Sequence, residues 1–329
     1  MSPIVARTPA APAVVAVEPV DDEGVRDQVE TLLAEFLSGK VRLLTDISPE
    51  LGPAARTAQE FVVGGGKRLR AAFCYWGWRA AGGARHAPAA LTAAASLELL
   101  QAAALVHDDL MDRSPTRRGA PSIHRRFAEE HARAGLRGDS ERFGDSAALI
   151  VGDLLLAWCD ELFARGAGCG DVSGSGISGS GVSSARDYFD VLRTEVMAGQ
   201  LLETVGTAAR SGARGQERLI AQYKSARYTV QRPLQLGAAL AGGSPELLAA
   251  LGEFGLPIGE AFQLRDDVSD AGEDARDGRP SLLATLAGEP PESRVATLRA
   301  GALAVLTAAP IAVPAARAAL RRMALAATA

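Results

Sequence analysis

Cysteine, lysine, aromatic side chains and strand-forming runs are all scarce in this 329-residue chain. The three cysteines, Cys74, Cys159 and Cys169, are odd in number and form no CxxC. That argues against a disulfide framework and against a thiolate zinc site. Alternating runs of Val, Ile and Thr are few, so a sheet has little to build from. There is no excess of positive charge either. The net charge is −4, which removes the general basic field that would recruit nucleic acid. Lysine occurs only at Lys40, Lys67 and Lys224, which draws notice to each of them.

A clean membrane-spanning run is missing too. The most apolar stretch, Ala89 to Val106, is interrupted by Glu98 and Gln101 and followed by His107, Asp108 and Asp109. A bilayer span needs about 20 mostly apolar residues, and a charge near its middle is costly. The expectation is a buried helix and no membrane span. The Ala/Pro/Val-rich N-terminus has no basic segment ahead of an apolar one, so residues 1–24 read as a disordered tail rather than a signal peptide, and the location as cytoplasmic.

What the chain has is helix formers: hydrophobic residues are 47% and charged residues 22% of it, with Ala, Leu, Arg and Glu filling the long segments. Breakers divide these into helices at about 25–44, 53–63, 69–81, from Pro88 to before Pro115, 146–165, 185–210, 217–241 and 244–271, with a weaker pattern at 294–327. Pro233 and Pro257 should kink or break the helices that contain them. The Gly/Ser-rich stretch 166–184 reads as a flexible loop. Residues 25–329 are thus expected to form a single all-α domain with a central helical bundle.

Two acidic clusters point to chemistry. Asp108-Asp109-Leu110-Met111-Asp112 and Asp266-Asp267-Val268-Ser269-Asp270 each follow an apolar helix. Within each, the first and fifth carboxylates share a helix face. Like charges at that spacing repel, and the C-terminal end of a helix is the wrong end of its dipole for an acid. A solvated acidic helix end explains one such cluster; two copies call for a divalent cation. Hard oxygen donors suit Mg²⁺ or Mn²⁺, which bind a few carboxylates and leave coordination for phosphate. Cations for phosphate are present as well. Gly64-Gly65-Gly66 precede Lys67 and Arg70 at a helix start, and Arg117-Arg118 follow the first acidic cluster. Gln101 lies two turns before Asp108, Gln263 lies close before Asp266, and Lys224-Ser225 sit in a helix near Tyr223 and Tyr228.

The segments GGGKRLR (64–70), ELLQAAALVHDDLMD (98–112), RRGAPSIH (117–124), GDLLLAW (152–158), EVMAGQLLE (195–203), YKSARYTVQRP (223–233) and FQLRDDVSD (262–270), in that order, resemble the trans-type polyprenyl (isoprenyl) diphosphate synthases, most of all the bacterial geranylgeranyl diphosphate synthases. The resemblance implies an isoprenoid-synthase-like helical bundle around a deep central cavity, and a homodimer. It also implies a Mg²⁺-dependent, 1′-4 head-to-tail condensation of isopentenyl diphosphate with an allylic diphosphate (C5–C15). Carried over by position, Asp108, Asp112, Asp266 and Asp270 would ligate metal, with Asp109 and Asp267 in support. Lys67, Arg70, Gln101 and Arg118 would hold isopentenyl diphosphate. Arg117, Lys224 and Gln263 would hold the allylic diphosphate, and Lys224 and Ser225 would stabilise the cation. Ala104 and Ala103, four and five residues before Asp108, with Leu100 next in line, would form the chain-length pocket. Their small size implies a C20 product, geranylgeranyl diphosphate. Two rival readings are a class I terpene cyclase and a non-catalytic regulatory subunit. The segment 271–280 is shorter than in the family and has no lysine, and Arg279 is its candidate replacement.

Overall fold

The computed structural model describes residues 21–167, 179–209, 215–277 and 279–329. Residues 1–20 of the expected tail and 168–178 of the expected Gly/Ser loop lie outside the described residues. The chain runs through α1 (Val25–Ile47), α2 (Gly52–Val63), α3 (Leu69–Ala80) and α4 (Pro88–Met111). A short hairpin follows, with arms Thr116–Arg117 and Ala120–Pro121. Then come α5 (Ile123–Arg133), α6 (Ser140–Gly166), α7 (Gly179–Ala208), α8 (Glu217–Ile220), a π-helical segment (Ala221–Gln231) and α9 (Arg232–Leu240). The chain ends with α10 (Pro245–Asp277), α11 (Pro291–Ala308) and α12 (Pro314–Ala327). Among the described residues the hairpin arms are the only strands, so the architecture is all-α as the composition predicts.

Helix α4 is the hub. It touches α1, α2, α3, α5, α6 and α9, and its Ala/Leu positions are buried all round, as a helix apolar on every side must be. By length and composition alone it could cross a membrane, yet 78% of its apolar window is buried inside the protein. Pro88 starts it at a position where a missing N–H costs nothing. Close helix crossings are made by glycine. A Cβ on Gly77 of α3 would lie 2.1 Å from the Leu234 carbonyl of α9, and one on Gly237 would lie 1.8 Å from the Cys74 carbonyl. Only a residue without a side chain permits that approach. The core that results runs continuously from Val25 to Ala324.

Several sequence expectations are corrected. Residues 21–24 are an ordered turn rather than tail. Asp21 accepts hydrogen bonds from the Val25 and Arg26 amides at 2.6 and 3.1 Å, and Glu23 is held by Tyr75, Arg79 and Arg85. Helix α7 begins at Gly179, inside the stretch expected to be loop. Helix α5 was not anticipated. Pro257 does not break α10. The carbonyl it leaves without a donor belongs to Glu253, which is exposed to water, while Phe254 and Ile258 on the opposite face are fully buried. Helix α10 also continues past the second acidic cluster to Asp277, so that cluster is not at a helix end. The weak C-terminal pattern resolves into two helices, α11 and α12, separated around Pro310 and Pro314.

Candidate active site

A cavity of about 250 Å³ opens between α4, α7, the π segment and α10. Helix α4 contributes Gln101, Ala104, Leu105 and Asp108, and α10 contributes Gln263, Asp267 and Asp270. The two acidic clusters therefore border one space. Asp266 is exposed and is not among the residues lining the cavity.

The wall between them is the π segment. It presents Ala221, then Lys224 and Ser225, then Tyr228 to the cavity, following Ile220 at the end of α8. In an α-helix each four-residue step drifts by about 40°, so residues eight apart would diverge. Here the winding is wider, with i→i+5 bonds; the Arg232 amide, for example, reaches back to the Arg227 carbonyl. The segment is gripped from both sides by glycines. A Cβ on Gly199 of α7 would meet the Lys224 amide at 2.4 Å, and one on Gly259 of α10 would meet the Ala226 carbonyl at 2.5 Å.

In the first acidic cluster every carboxylate has a cation. Lys224 Nζ lies 3.2 Å from Asp108 Oδ1 and also pairs with Glu203. Burial pulls the Lys224 ammonium toward neutrality, but Asp108 and Glu203 outweigh it and hold its pKa above the ordinary lysine value. Arg117 donates Nε–H to Asp109 Oδ1 at 2.9 Å and sits 3.7 Å from Asp108. Asp109 is almost fully buried, which raises its pKa despite that arginine. Its Oδ2 has no hydrogen-bond partner. Arg279 Nη2 lies 2.9 Å from Asp112, whose pKa is raised by burial and by Asp108.

The second cluster is held by neutral donors. Buried Asp267 accepts from Gln263 Nε2 at 2.6 Å, the Leu282 amide at 2.6 Å and the Ser281 hydroxyl at 3.1 Å. It thereby ties the segment after Arg279 back onto α10. Asp266 has one side open to water, yet the surrounding protein displaces enough of the rest to push its carboxyl to about 6, with Asp270 adding repulsion and Lys67 opposing it.

The predicted phosphate ligands divide into two groups. Arg70 and Gln101 line the cavity, joined through Tyr228. Arg118 lies in an adjoining recess and donates to the Gly65 carbonyl at 2.7 Å. It is held there by a tight turn with positive φ at both Arg118 (53°) and Gly119 (77°), the conformation a two-residue hairpin demands. Arg117 and Gln263 are engaged by acids, as above, and Lys67 is exposed beside Asp266. Buried Arg68 braces this corner through the Val62 carbonyl and Glu98.

The chain-length pocket needs correction. Ala104 lines the cavity, but Ala103 and Leu100 have no accessible surface and belong to the core. At 100° per residue, Ala104 falls within about 40° of Asp108 around the helix, whereas Ala103 is about 140° away. Among the polar wall residues, Gln200, Glu203, Glu217 and Tyr228 carried no role in the sequence reading. The signal for the last was its place four residues after Lys224, one helical turn along.

The acids suit a hard divalent ion. Among the described residues no three Asp, Glu, His or Cys side chains converge into a protein-only cage. The arrangement instead offers two carboxylate pairs on facing helices, with negative charge crowded at Asp266. Magnesium is bound in this way, by few carboxylates with phosphate completing its shell.

Comparison with known proteins agrees with this geometry. The short chain isoprenyl diphosphate synthase of Methanothermobacter thermautotrophicus is 28% identical over 257 residues, 75% of this chain and 70% of that one. The geranylgeranyl diphosphate synthase of Methanosarcina mazei is 29% identical over 215 residues, 65% and 58% of the two chains. The crystal structure of geranylgeranyl pyrophosphate synthase from Corynebacterium glutamicum, complexed with isoprenyl diphosphate and magnesium, superposes with a TM-score of 0.83 at 32% identity, covering 94% of this chain and 99% of that one. The polyprenyl synthetase profile matches residues 54–289; with both acidic clusters facing one cavity in an all-α bundle, the chain belongs to the polyprenyl synthetase family.

Proposed function

We propose that this prenyltransferase joins isopentenyl diphosphate to an allylic diphosphate, 1′-4 and head to tail, to give geranylgeranyl diphosphate (C20). The observation that carries the reading is the single cavity bordered by Asp108 on one helix and by Asp267 and Asp270 on another, with an apolar wall below them. Asp108, Asp112, Asp266 and Asp270 would hold Mg²⁺, with Mn²⁺ as substitute. The ions would supply positive charge to the diphosphate as it leaves. Lys224, Arg117 and Gln263 bind the allylic diphosphate, while Lys67, Arg70, Gln101 and Arg118 bind isopentenyl diphosphate.

Heterolysis of the allylic C–O bond sends its electron pair to the diphosphate and leaves an allylic cation. The isopentenyl double bond attacks that cation, and loss of a proton completes the new alkene. Lys224, fixed by Glu203, steadies the departing negative charge, and the Ser225 hydroxyl faces the same space. Leu105, Val196, Ile220 and Leu282 line the apolar part and keep water from the cation. The proposal includes a cytoplasmic homodimer. Its support is an exposed apolar stripe on α7, Met197, Leu201 and Val205, together with exposed Leu149 and Ile150 on α6.

The test is incubation of purified protein with Mg²⁺, isopentenyl diphosphate and a C5, C10 or C15 allylic diphosphate, with chromatography of the products. The expected product is C20, cut to C15 in Ala104→Phe. Failure to elongate any primer would favour the non-catalytic subunit. Hydrocarbon formed from geranylgeranyl diphosphate alone would favour the cyclase.

A further inference from the structure

The inner end of the π segment holds Tyr228 and Thr229, buried side chains to which the reaction scheme gives no role. Tyr228 is 3% exposed. The Arg70 guanidinium lies over its ring, 4.2 Å from the centroid. Arg70 Nη2 donates to Thr229 Oγ1 at 2.9 Å, and its buried Nε has no hydrogen-bond acceptor. The Tyr228 hydroxyl donates to Gln101 Oε1 at 2.9 Å. Arg70, Gln101 and Tyr228 all border the cavity.

A buried tyrosine O–H must find an acceptor, and a glutamine amide is two-faced, with acceptor oxygen on one side and two N–H donors on the other. Donation by Tyr228 to Oε1 therefore fixes which face the amide turns elsewhere: its NH₂ remains to serve an anion. Without the hydroxyl, the amide gains a second orientation that aims Oε1 at the same place and repels an anion. The ring performs the same service for Arg70, since a cation stacked on an aromatic face keeps its planar donors in one plane. We infer that Tyr228 is a positioning residue for isopentenyl diphosphate, setting the amide orientation of Gln101 and the plane of Arg70. This rests on the assignment of Gln101 and Arg70 to that substrate.

The chemistry also specifies which replacement works. A neutral imidazole accepts at one nitrogen and donates at the other, so histidine at 101 can take the Tyr228 proton and still present a donor. Leucine can do neither.

Steady-state kinetics with each substrate varied against saturating co-substrate test this in Tyr228→Phe, Gln101→His, Gln101→Leu and the double variant Tyr228→Phe/Gln101→Leu, with the Tm of each recorded. Tyr228→Phe should raise KM for isopentenyl diphosphate five- to twentyfold, with kcat and the allylic KM changed less than threefold. Gln101→His should raise KM for isopentenyl diphosphate less than Gln101→Leu does, because imidazole still accepts from Tyr228 and still presents a donor. In the Gln101→Leu background the Tyr228→Phe step should raise KM no more than threefold further, because the amide that the hydroxyl orients is gone and phenylalanine keeps the ring under Arg70. Calorimetric binding of isopentenyl diphosphate supplies a reading independent of turnover, and should weaken in Tyr228→Phe by the same factor. Unchanged binding and KM in Tyr228→Phe would overturn the inference, as would an equal loss for both substrates or a KM rise undiminished in the Gln101→Leu background. Those outcomes require a wild-type enzyme that elongates; if the wild type elongates nothing, it is the proposed function that fails.

Discussion

The two acidic clusters have the same five-residue pattern and opposite surroundings. At Asp108–Asp112 each carboxylate faces a cation: Lys224, Arg117 or Arg279. At Asp266–Asp270 the buried middle carboxylate is satisfied by an amide, a hydroxyl and a backbone N–H, and the outer pair is left to water and to Lys67. The first cluster is thus compensated in the free protein, and the second carries surplus negative charge. An arriving divalent cation meets competition on one wall and only repulsion to relieve on the other.

The largest effect that sharpens this contrast concerns the middle acids. Asp109→Asn takes from half-buried Arg117 the nearer of its two carboxylate partners and should cost about 2–3 kcal/mol of stability. Asp267→Asn keeps an oxygen acceptor for the Leu282 amide and should cost about 1 kcal/mol. Urea denaturation of both variants measures the difference. Equal losses would mean that the charge compensation in the first cluster contributes little.

A smaller effect is pH-dependent. The folded Asp266 titrates near 6, above the ordinary carboxylate value of about 3.9. Between about pH 4 and pH 6 the folded chain holds a proton that the unfolded chain has shed, so this group's contribution falls as pH rises through that window and stays low above it. Because Asp266 is open to solvent on one side, screening reduces the effect to roughly 0.5 kcal/mol. Asp266→Asn should therefore raise Tm by about 1 °C at pH 7.5, with the gain shrinking toward zero at pH 4.5. Asp108→Asn, which loses half of a charge pair, should lower Tm at pH 7.5. Opposite signs for the two variants support the comparison, and a shared sign breaks it.

Much of this was legible beforehand for stated reasons. The glycine triplet at 64–66 and Pro88 mark helix boundaries because backbone chemistry there is local. Asp108 and Gln101 share a face because seven residues are close to two full turns. The π winding at 221–231 was not legible. It depends on Gly199 and Gly259 pressing from other helices, a tertiary fact that no local propensity encodes. Ala103, named by resemblance alone, lies five residues before Asp108 and so about 140° from it around the helix. Glu203 and Arg279 gain meaning only when folding sets them beside Lys224 and Asp112.

The central claim is that both clusters act together on one metal–diphosphate unit. Thermal shift of the wild type with Mg²⁺ alone, inorganic pyrophosphate alone, and both together tests it most directly. The account predicts that the pair raises Tm by about 5 °C beyond the sum of the separate shifts, and that Asp108→Asn and Asp266→Asn each abolish that increment. A full joint increment retained in Asp266→Asn would contradict it.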